Sequence, residues 1–144
     1  MPLGSRTSHF ESTDDLLLEA FGRFATTVSE AFTTRVAAAR TVPEAVDAII
    51  DVVHDDLQHS TRDHVLTDEL STLSARRPEF RSITEAWMAR GRAALERHSP
   101  PQTVRWLDAL IEGTALHVAL DRAPRSRAET RAAVVRLADP GGAR

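Results

Sequence analysis

The amino-acid sequence predicts an all-α protein, a bundle of about six helices. Apolar residues recur at steps of three and four along most of the chain, which is the period of a helix with one buried face. No run alternates apolar and polar residues in the way that predicts a strand. With 144 residues, of which 42% are hydrophobic, the chain fits one compact domain better than two.

The composition excludes several classes of protein. The absence of cysteine excludes disulfides, thiolate nucleophiles and sulfur-ligated metals. A formal net charge of -3 provides no general attraction to nucleic acid. Because the longest apolar stretches span only a few residues and the N-terminus lacks the order of a signal peptide, we expect a cytoplasmic protein without membrane contact.

The first helix is predicted to begin after Ser12. Ser12 with Asp15 resembles a capping box, and acidic residues stabilise the first turn of a helix. The apolar stripe continues to about Ala39, so this helix is roughly 40 Å long. Its stripe consists of Leu17, Phe21, Phe24, Val28, Phe32 and Val36.

Three more helices follow. Thr41 with Glu44, and an early Pro43, predict the start of the second helix. The stretch "HDDLQHST" then breaks the pattern, and Pro78 ends a shorter third helix and suits the first turn of a fourth. The apolar positions are Val46, Ile49, Ile50, Val53 and Leu57, then Val65, Leu66, Leu70 and Leu73, then Phe80, Ile83, Trp87, Ala94 and Leu95.

The fifth helix, residues 103–120, is apolar on two sides and therefore needs two covers. One face carries Leu107, Leu110, Ile111 and Val118, and the other carries Trp106, Ala109, Leu116 and Leu120. Ser126 with Glu129 forms a capping box for a last helix, which ends before "DPGGAR" and has Val134, Val135 and Leu137 as its apolar positions.

A second copy of the chain is the economical cover for the outer face of the fifth helix. Two copies that pack their last two helices together form an isologous four-helix interface. Gly113 destabilises the helix by about 1 kcal/mol relative to Ala, unless the close approach of another backbone compensates for it. The alternative interpretation is that Gly113 makes room within one subunit. The predicted homodimer interface consists of Leu110, Gly113, Leu116, Leu120, Val134 and Leu137.

The pattern resembles the C-terminal part of TetR-family transcriptional regulators. The resemblance is carried by "PLGSRTSHFESTDDLLLEAF", by the helix pair broken at "ARRPEFRSITEAW", and by "LDALIEGTALHVAL" with the short helix after it. In that family a helix-turn-helix domain precedes a long fourth helix, helices five to seven enclose an effector pocket, and helices eight and nine build the dimer. The resemblance implies that residues 11–144 are an effector-binding and dimerisation domain.

The front stretch implies a remnant of a DNA-reading helix in residues 1–10, with Arg6, Thr7 and His9 as its DNA-side residues. A misplaced start codon, a cloning scar in "PLGS" and a real truncation are the alternatives for the missing part. Glu11 and Thr13 stand where the family often has Pro and a basic residue, which reduces attraction to phosphate. We therefore expect this chain to bind DNA poorly. Operator DNA is expected as a partner only for a full-length form.

The resemblance also implies an effector pocket for an apolar small molecule. Apolar sites with few polar groups are typical of such pockets. Each candidate is alternatively a simple core residue, and His117 is alternatively an interface or core histidine bonded to a carbonyl. The candidate pocket residues are Phe80, Ile83, Trp87, Met88, Trp106 and His117.

The stretch "HDDLQHSTRDH" collects the histidines and aspartates that metals prefer as ligands, but its spacing is not a known metal motif. A solvated helix end is the favoured interpretation, with no metal and no cofactor. The sequence has no Gly-rich phosphate loop and no nucleophile elbow, so an enzyme is not predicted. The collected residues are His54, Asp55, Asp56, His59, Asp63 and His64.

These observations predict a ligand-responsive regulator of the TetR type, present as its sensing and dimerisation part. The alternative is a stand-alone helical dimer that binds a small molecule or a partner protein without DNA contact. An all-α enzyme that uses the His/Asp cluster is a third hypothesis. Whether the regulator represses or activates, and which effector it binds, is left open.

Overall fold

The computed structural model describes residues 12–56 and 61–139, and within these ranges all regular structure is helical. This confirms the all-α prediction. A π-helical turn, Val52–Asp56, continues directly from the second helix. The six α-helices are α1 (Thr13–Ala38), α2 (Val42–Asp51), α3 (Thr61–Arg76), α4 (Pro78–Leu95), α5 (Pro101–Leu120) and α6 (Arg127–Ala138).

Three of the helices begin where the sequence places a capping side chain. The Oγ atom of Ser12 accepts a hydrogen bond from the Asp15 amide at 3.2 Å, and Thr41 caps α2 in the same way. Ser126 and Glu129 form the complete capping box of α6. Each cap satisfies an amide that the helix leaves unpaired, so these starts are set by local sequence.

The second helix does not end where the sequence pattern breaks. The backbone continues as the π-helical turn Val52–Asp56, and this turn buries Val52, Val53 and His54. Burial against α5 and α6 therefore outweighs the local break signal. Leu57 and His59, which the sequence analysis assigned to this stretch, lie outside the described residues.

A three-helix cluster joins α1, α3 and α4. Its buried members are Phe21, Ala25, Leu70 and Phe80. The rings of Phe21 and Phe80 meet edge to face with centroids 6.2 Å apart, and those of Phe24 and Trp87 do so at 6.0 Å. These pairs order the first half of α1 against α4.

A five-helix cluster forms the larger core and involves every helix except α3. The second half of α1 enters it at Val36, and α4 enters it at Ala94 and Leu95. The other buried members are Val46, Ile49, Ile50, Val53, Val104, Leu107, Val118 and Val134. Because α5 and α6 both contribute, the two helices predicted to dimerise are anchored to the rest of the subunit.

None of the described helices is both long and apolar enough to cross a lipid bilayer.

Candidate functional site

Helix α5 has one buried and one exposed apolar face, as the sequence predicts. Leu107 and Val118 are buried in the five-helix cluster, and Leu110 and Ile111 pack against it. On the opposite side, Trp106 is 64% exposed, Leu116 is 42% exposed and Leu120 is 70% exposed. Large apolar side chains at this level of exposure along one helix form an unusual surface for an isolated subunit.

Gly113 lies in the middle of this exposed face. A Cβ atom added at Gly113 would have no atom within 4 Å, so nothing inside the subunit requires a glycine there. The alternative interpretation, that Gly113 makes room within one subunit, is therefore not supported. No contact within the described part of the subunit offsets the helical penalty of this glycine.

Helix α6 adds to the exposed face through Val135, which is 44% exposed. The prediction that Val134 contacts a partner is wrong, because Val134 is only 1% exposed and lies inside the five-helix cluster. Leu137 is half-buried and packs against the same cluster. The apolar pattern of α6 does not distinguish Val134, which faces inward, from Val135, which faces outward.

The predicted pocket residues divide between core and surface. Phe80 is fully buried and packs on Phe21, so it belongs to the three-helix cluster. Ile83 and Trp87 are half-buried against that cluster, and Met88 is half-buried on the same helix. These three remain candidate pocket residues.

Trp106 and His117 correct the pocket prediction, because both lie on the outside of the subunit. Trp106 belongs to the exposed face of α5. His117 Nδ1 lies 3.0 Å from an Nη1 atom of Arg125, in the segment that follows α5. The helical period is compatible with an inward or an outward position for both residues. The way α5 docks on the other helices places them on the outside.

The His/Asp cluster is partly an interhelical contact and not simply a solvated helix end. His54 is 6% exposed, and its Nε2 atom lies 2.8 Å from Thr130 Oγ1 of α6. Arg127 of α6 forms ion pairs with Asp51 and Asp55. These contacts fasten the end of α2 and the π-helical turn to α6.

A second polar contact joins α1 to α4, and the sequence analysis missed it. Arg90 Nε donates a 2.8 Å hydrogen bond to Ser29 Oγ, and Ser29 is only 1% exposed. Arg90 falls on the apolar stripe of α4, three residues after Trp87 and four before Ala94. A polar residue at such a position is the sequence signal that identifies this contact.

A small crevice opens between α2, α6 and the junction of α4 with α5. Its volume is about 10 Å³, which is room for about one water molecule. None of the predicted pocket residues lines it. The lining residues are Val42, Ala45, Val46, Ile49, Leu95, His98, Ser99, Leu107, Val134 and Ala138.

Comparison with known proteins identifies the family to which this arrangement of helices belongs. Residues 40–140 match the family model described as tetracyclin repressor-like, C-terminal domain. The chain belongs to the TetR family. Since this is a family of transcriptional regulators, the chain is a regulator and not an enzyme.

A solved structure supports the same conclusion. The crystal structure of a candidate transcriptional regulator from Streptomyces coelicolor A3(2) is 48% identical in sequence and superimposes with a TM-score of 0.87. The match covers 96% of this TetR-family chain and 80% of the Streptomyces chain. No curated protein matches the chain.

Proposed function

We propose that residues 11–144 are the effector-binding and dimerisation domain of a ligand-responsive TetR-family regulator that acts as a homodimer. The exposed apolar face of α5 is the observation that carries this proposal. Trp106, Leu116 and Leu120 on this face are 64%, 42% and 70% exposed. A second copy that packs the same face against it removes this apolar area from water.

The dimer would be built from α5 and α6 of each subunit. A two-fold axis brings the same face of both copies together, so one surface supplies both halves of the contact. Gly113 would allow the two α5 backbones to approach closely at the centre. Val135 of α6 extends the apolar contact on the side of the second helix.

Effector binding would act through α1, the helix that contributes to both core clusters together with α4. Binding among the helices would shift α1 and change the separation of two DNA-reading heads in the full-length dimer. Such a response requires the effector to bind one arrangement of the helices more tightly than the other. The contacts of α1 with α4 at Phe24, Ser29 and Phe32 are the points at which a ligand would be detected.

Sedimentation of the purified chain at micromolar concentration tests the dimer. We expect a dimer for the natural chain and single subunits for Leu116→Glu. The dimer would bury the exposed face of α5, and a charge placed on this face would then lose its hydration. Val65→Glu is the matched control, since Val65 is also an exposed apolar residue, 54% exposed, and lies on α3, which contributes no residue to the proposed interface. A natural chain that sediments only as single subunits contradicts the proposal.

We also propose that residues 1–10 belong to the DNA-binding domain of the regulator. These residues lie outside the described part of the chain, and the proposal depends on their sequence alone. Translation of the upstream nucleotide sequence tests it. About forty in-frame codons for two more helices favour the regulator, and a nearby stop codon favours the stand-alone dimer.

DNA binding by the present chain is a separate test of this assignment. A band-shift assay at moderate salt is expected to detect no specific complex, because a net charge of -3 provides no general attraction to DNA. A tight, sequence-selective shift would show that the present chain reads DNA without those upstream helices.

A further inference from the structure

Three arginines among the described residues are half-buried, and they differ in how their charge is neutralised. Arg77 pairs with Asp14 and Glu79, and Arg92 pairs with Asp108. Arg90 has no carboxylate partner among the described residues, and its hydrogen bond goes to the neutral hydroxyl of Ser29. Removal of a guanidinium from water is costly unless a counter-charge is present.

The position of Arg90 is fixed by the core. Its Nε atom donates to Ser29 Oγ at 2.8 Å, and the Ser29 hydroxyl in turn donates to the carbonyl oxygen of Thr26 at 3.1 Å. Among the described residues the two Nη groups of Arg90 have no hydrogen-bond acceptor, so they can bind one from another molecule. A guanidinium held in this way presents a preorganised pair of donors that suits a carboxylate or another planar anion.

The surroundings of Arg90 are apolar on both sides along α4. Trp87 lies one turn earlier and contacts Phe24 of α1, while Ala94 lies one turn later and belongs to the five-helix cluster. Ser29 lies between the same two clusters on α1. The cation therefore stands where the three-helix cluster ends and the five-helix cluster begins.

A buried polar atom on α3 lacks a hydrogen-bond partner among the described residues. The Nε2 atom of His64, in the first turn of α3, is closed off from solvent and has no hydrogen-bond partner among the described residues. Helix α3 packs against α4, the helix that carries Arg90. A buried ring nitrogen without a partner is costly, and a polar atom of a bound molecule would satisfy it.

From these observations we infer that Arg90 binds the anionic group of the effector, which is an apolar molecule with one carboxylate or sulfonate. The apolar body of the effector would lie against the half-buried aromatic pair Phe24 and Trp87. This inference rests on the proposed function, and it replaces the expectation of a purely apolar effector with an amphipathic acid. Arg90 and the aromatic pair together would select for such acids against neutral analogues.

Two fluorescent probes with the same ring system test the inference. 8-Anilinonaphthalene-1-sulfonate carries an anionic group, and N-phenyl-1-naphthylamine is its neutral counterpart. We expect Arg90→Gln to weaken binding of the sulfonate about ten-fold and to leave binding of the amine within about two-fold. Arg97→Gln is the matched control, because it removes an exposed arginine just beyond α4.

Several results would overturn the inference. One is equal weakening of both probes in Arg90→Gln, and another is equal weakening of sulfonate binding in Arg97→Gln. A natural chain that binds the amine as tightly as the sulfonate also contradicts it. If Arg90→Gln does not fold by circular dichroism, titration of the natural chain with chloride decides. Chloride should then displace the sulfonate and not the amine, and an equal response of both probes overturns the inference.

These outcomes separate the inference from the proposed function. If the chain dimerises and binds the neutral amine, and Arg90→Gln has no effect on either probe, the proposed function stands. Only the inferred selectivity for acids is then contradicted. A chain that sediments as single subunits removes the proposed dimer whatever the probes show.

Discussion

The imidazole of His54 lies between the π-helical turn and α6, shielded from solvent. Its Nε2 atom lies 2.8 Å from Thr130 Oγ1, and the same hydroxyl oxygen lies 3.3 Å from the carbonyl oxygen of Ser126. Burial lowers the pKa of His54 below its ordinary value of 6.5, the nearby charge of Arg127 lowers it further, and Asp55 opposes the shift. The folded chain therefore favours the neutral imidazole at neutral pH.

The pKa of His54 predicts that stability falls on mild acidification. Below the ordinary pKa of 6.5 the unfolded chain binds a proton that the folded chain binds less readily, so the contribution of His54 is complete above that pH and is lost progressively below it. We expect urea unfolding between about pH 7 and about pH 5 to show a larger loss of stability for the natural chain than for His54→Gln. Glutamine keeps a donor and does not titrate. Identical pH profiles for the two proteins would contradict the assignment.

At the scale of the elements, Arg77 joins the start of α1 to the start of α4. Its two Nη groups donate to both carboxylate oxygens of Asp14, at 3.0 and 2.8 Å, and the guanidinium carbon lies 5.1 Å from the centre of the Phe80 ring. The hydrogen bond from Arg77 lowers the pKa of Asp14. The contact holds the first turn of α1 in place, but solvent around these groups screens it.

Replacement of Arg77 should therefore loosen one end of α1 and leave the fold intact. We expect Arg77→Gln to speed amide hydrogen exchange in residues 13–17 with little change in the melting temperature. Arg23→Gln is the matched control, because the ion pair of Arg23 with Glu19 lies within α1. Equal exchange rates in both variants would mean that the Arg77 contact does not order α1.

Phe80 contributes to stability at the same scale, since it links α1, α3 and α4 in one cluster. Its side chain is 0% exposed, so Phe80→Ala leaves a cavity and is expected to cost about 3–5 kcal/mol in the free energy of unfolding. Val65→Ala on α3 removes an exposed apolar side chain and should change stability by less than about 0.5 kcal/mol. Denaturant unfolding measures both. A cost below about 1 kcal/mol for Phe80→Ala would show that this core is not packed as described.

At the scale of the whole molecule, the exposed face of α5 connects the subunit to its proposed twin. The five-helix cluster holds α5 from one side, and Arg127 of α6 is tied to α2 by ion pairs with Asp51 and Asp55. The two proposed interface helices are thus connected to both α1 and α2. A change in the packing of α1 against α4 would reach the dimer contact through this shared core.

Gly113 allows the proposed dimer to be separated from the stability of the subunit. Within one subunit, a Cβ atom at Gly113 meets no atom within 4 Å, so Gly113→Ala should stabilise the helix by about 1 kcal/mol. At a close crossing of two α5 helices the same methyl group is a steric obstacle, and we expect dimer affinity to fall about ten-fold. Sedimentation equilibrium measures the affinity.

Gly22→Ala provides the control for this experiment. A Cβ atom at Gly22 of α1 also meets no atom within 4 Å, and α1 lies outside the proposed interface. Its alanine variant should gain helix stability without a change in dimer affinity. An unchanged affinity for Gly113→Ala as well would place the helix crossing elsewhere.

The sequence predicts most of the helical architecture because the signals involved are local. The caps at Ser12, Thr41 and Ser126 depend on hydrogen bonds within one turn, and all three are present. The two faces of α5 follow from its apolar spacing, and the burial of Leu107 opposite Leu116 confirms them.

Periodicity shows that a helix has an inner face. Which of two adjacent residues near the edge of that face is buried depends on how the helix docks. Val134 faces inward and Val135 outward for this reason, and Trp106 lies on the surface. The pairing of Arg90 with Ser29, and of His54 with Thr130, joins residues that are 61 and 76 positions apart. Local spacing therefore determines which helices form and which of them are apolar on two sides. Contacts between distant segments decide which side is buried and which charged group is left without a counter-ion, because burial and pairing depend on atoms that meet only when the helices pack.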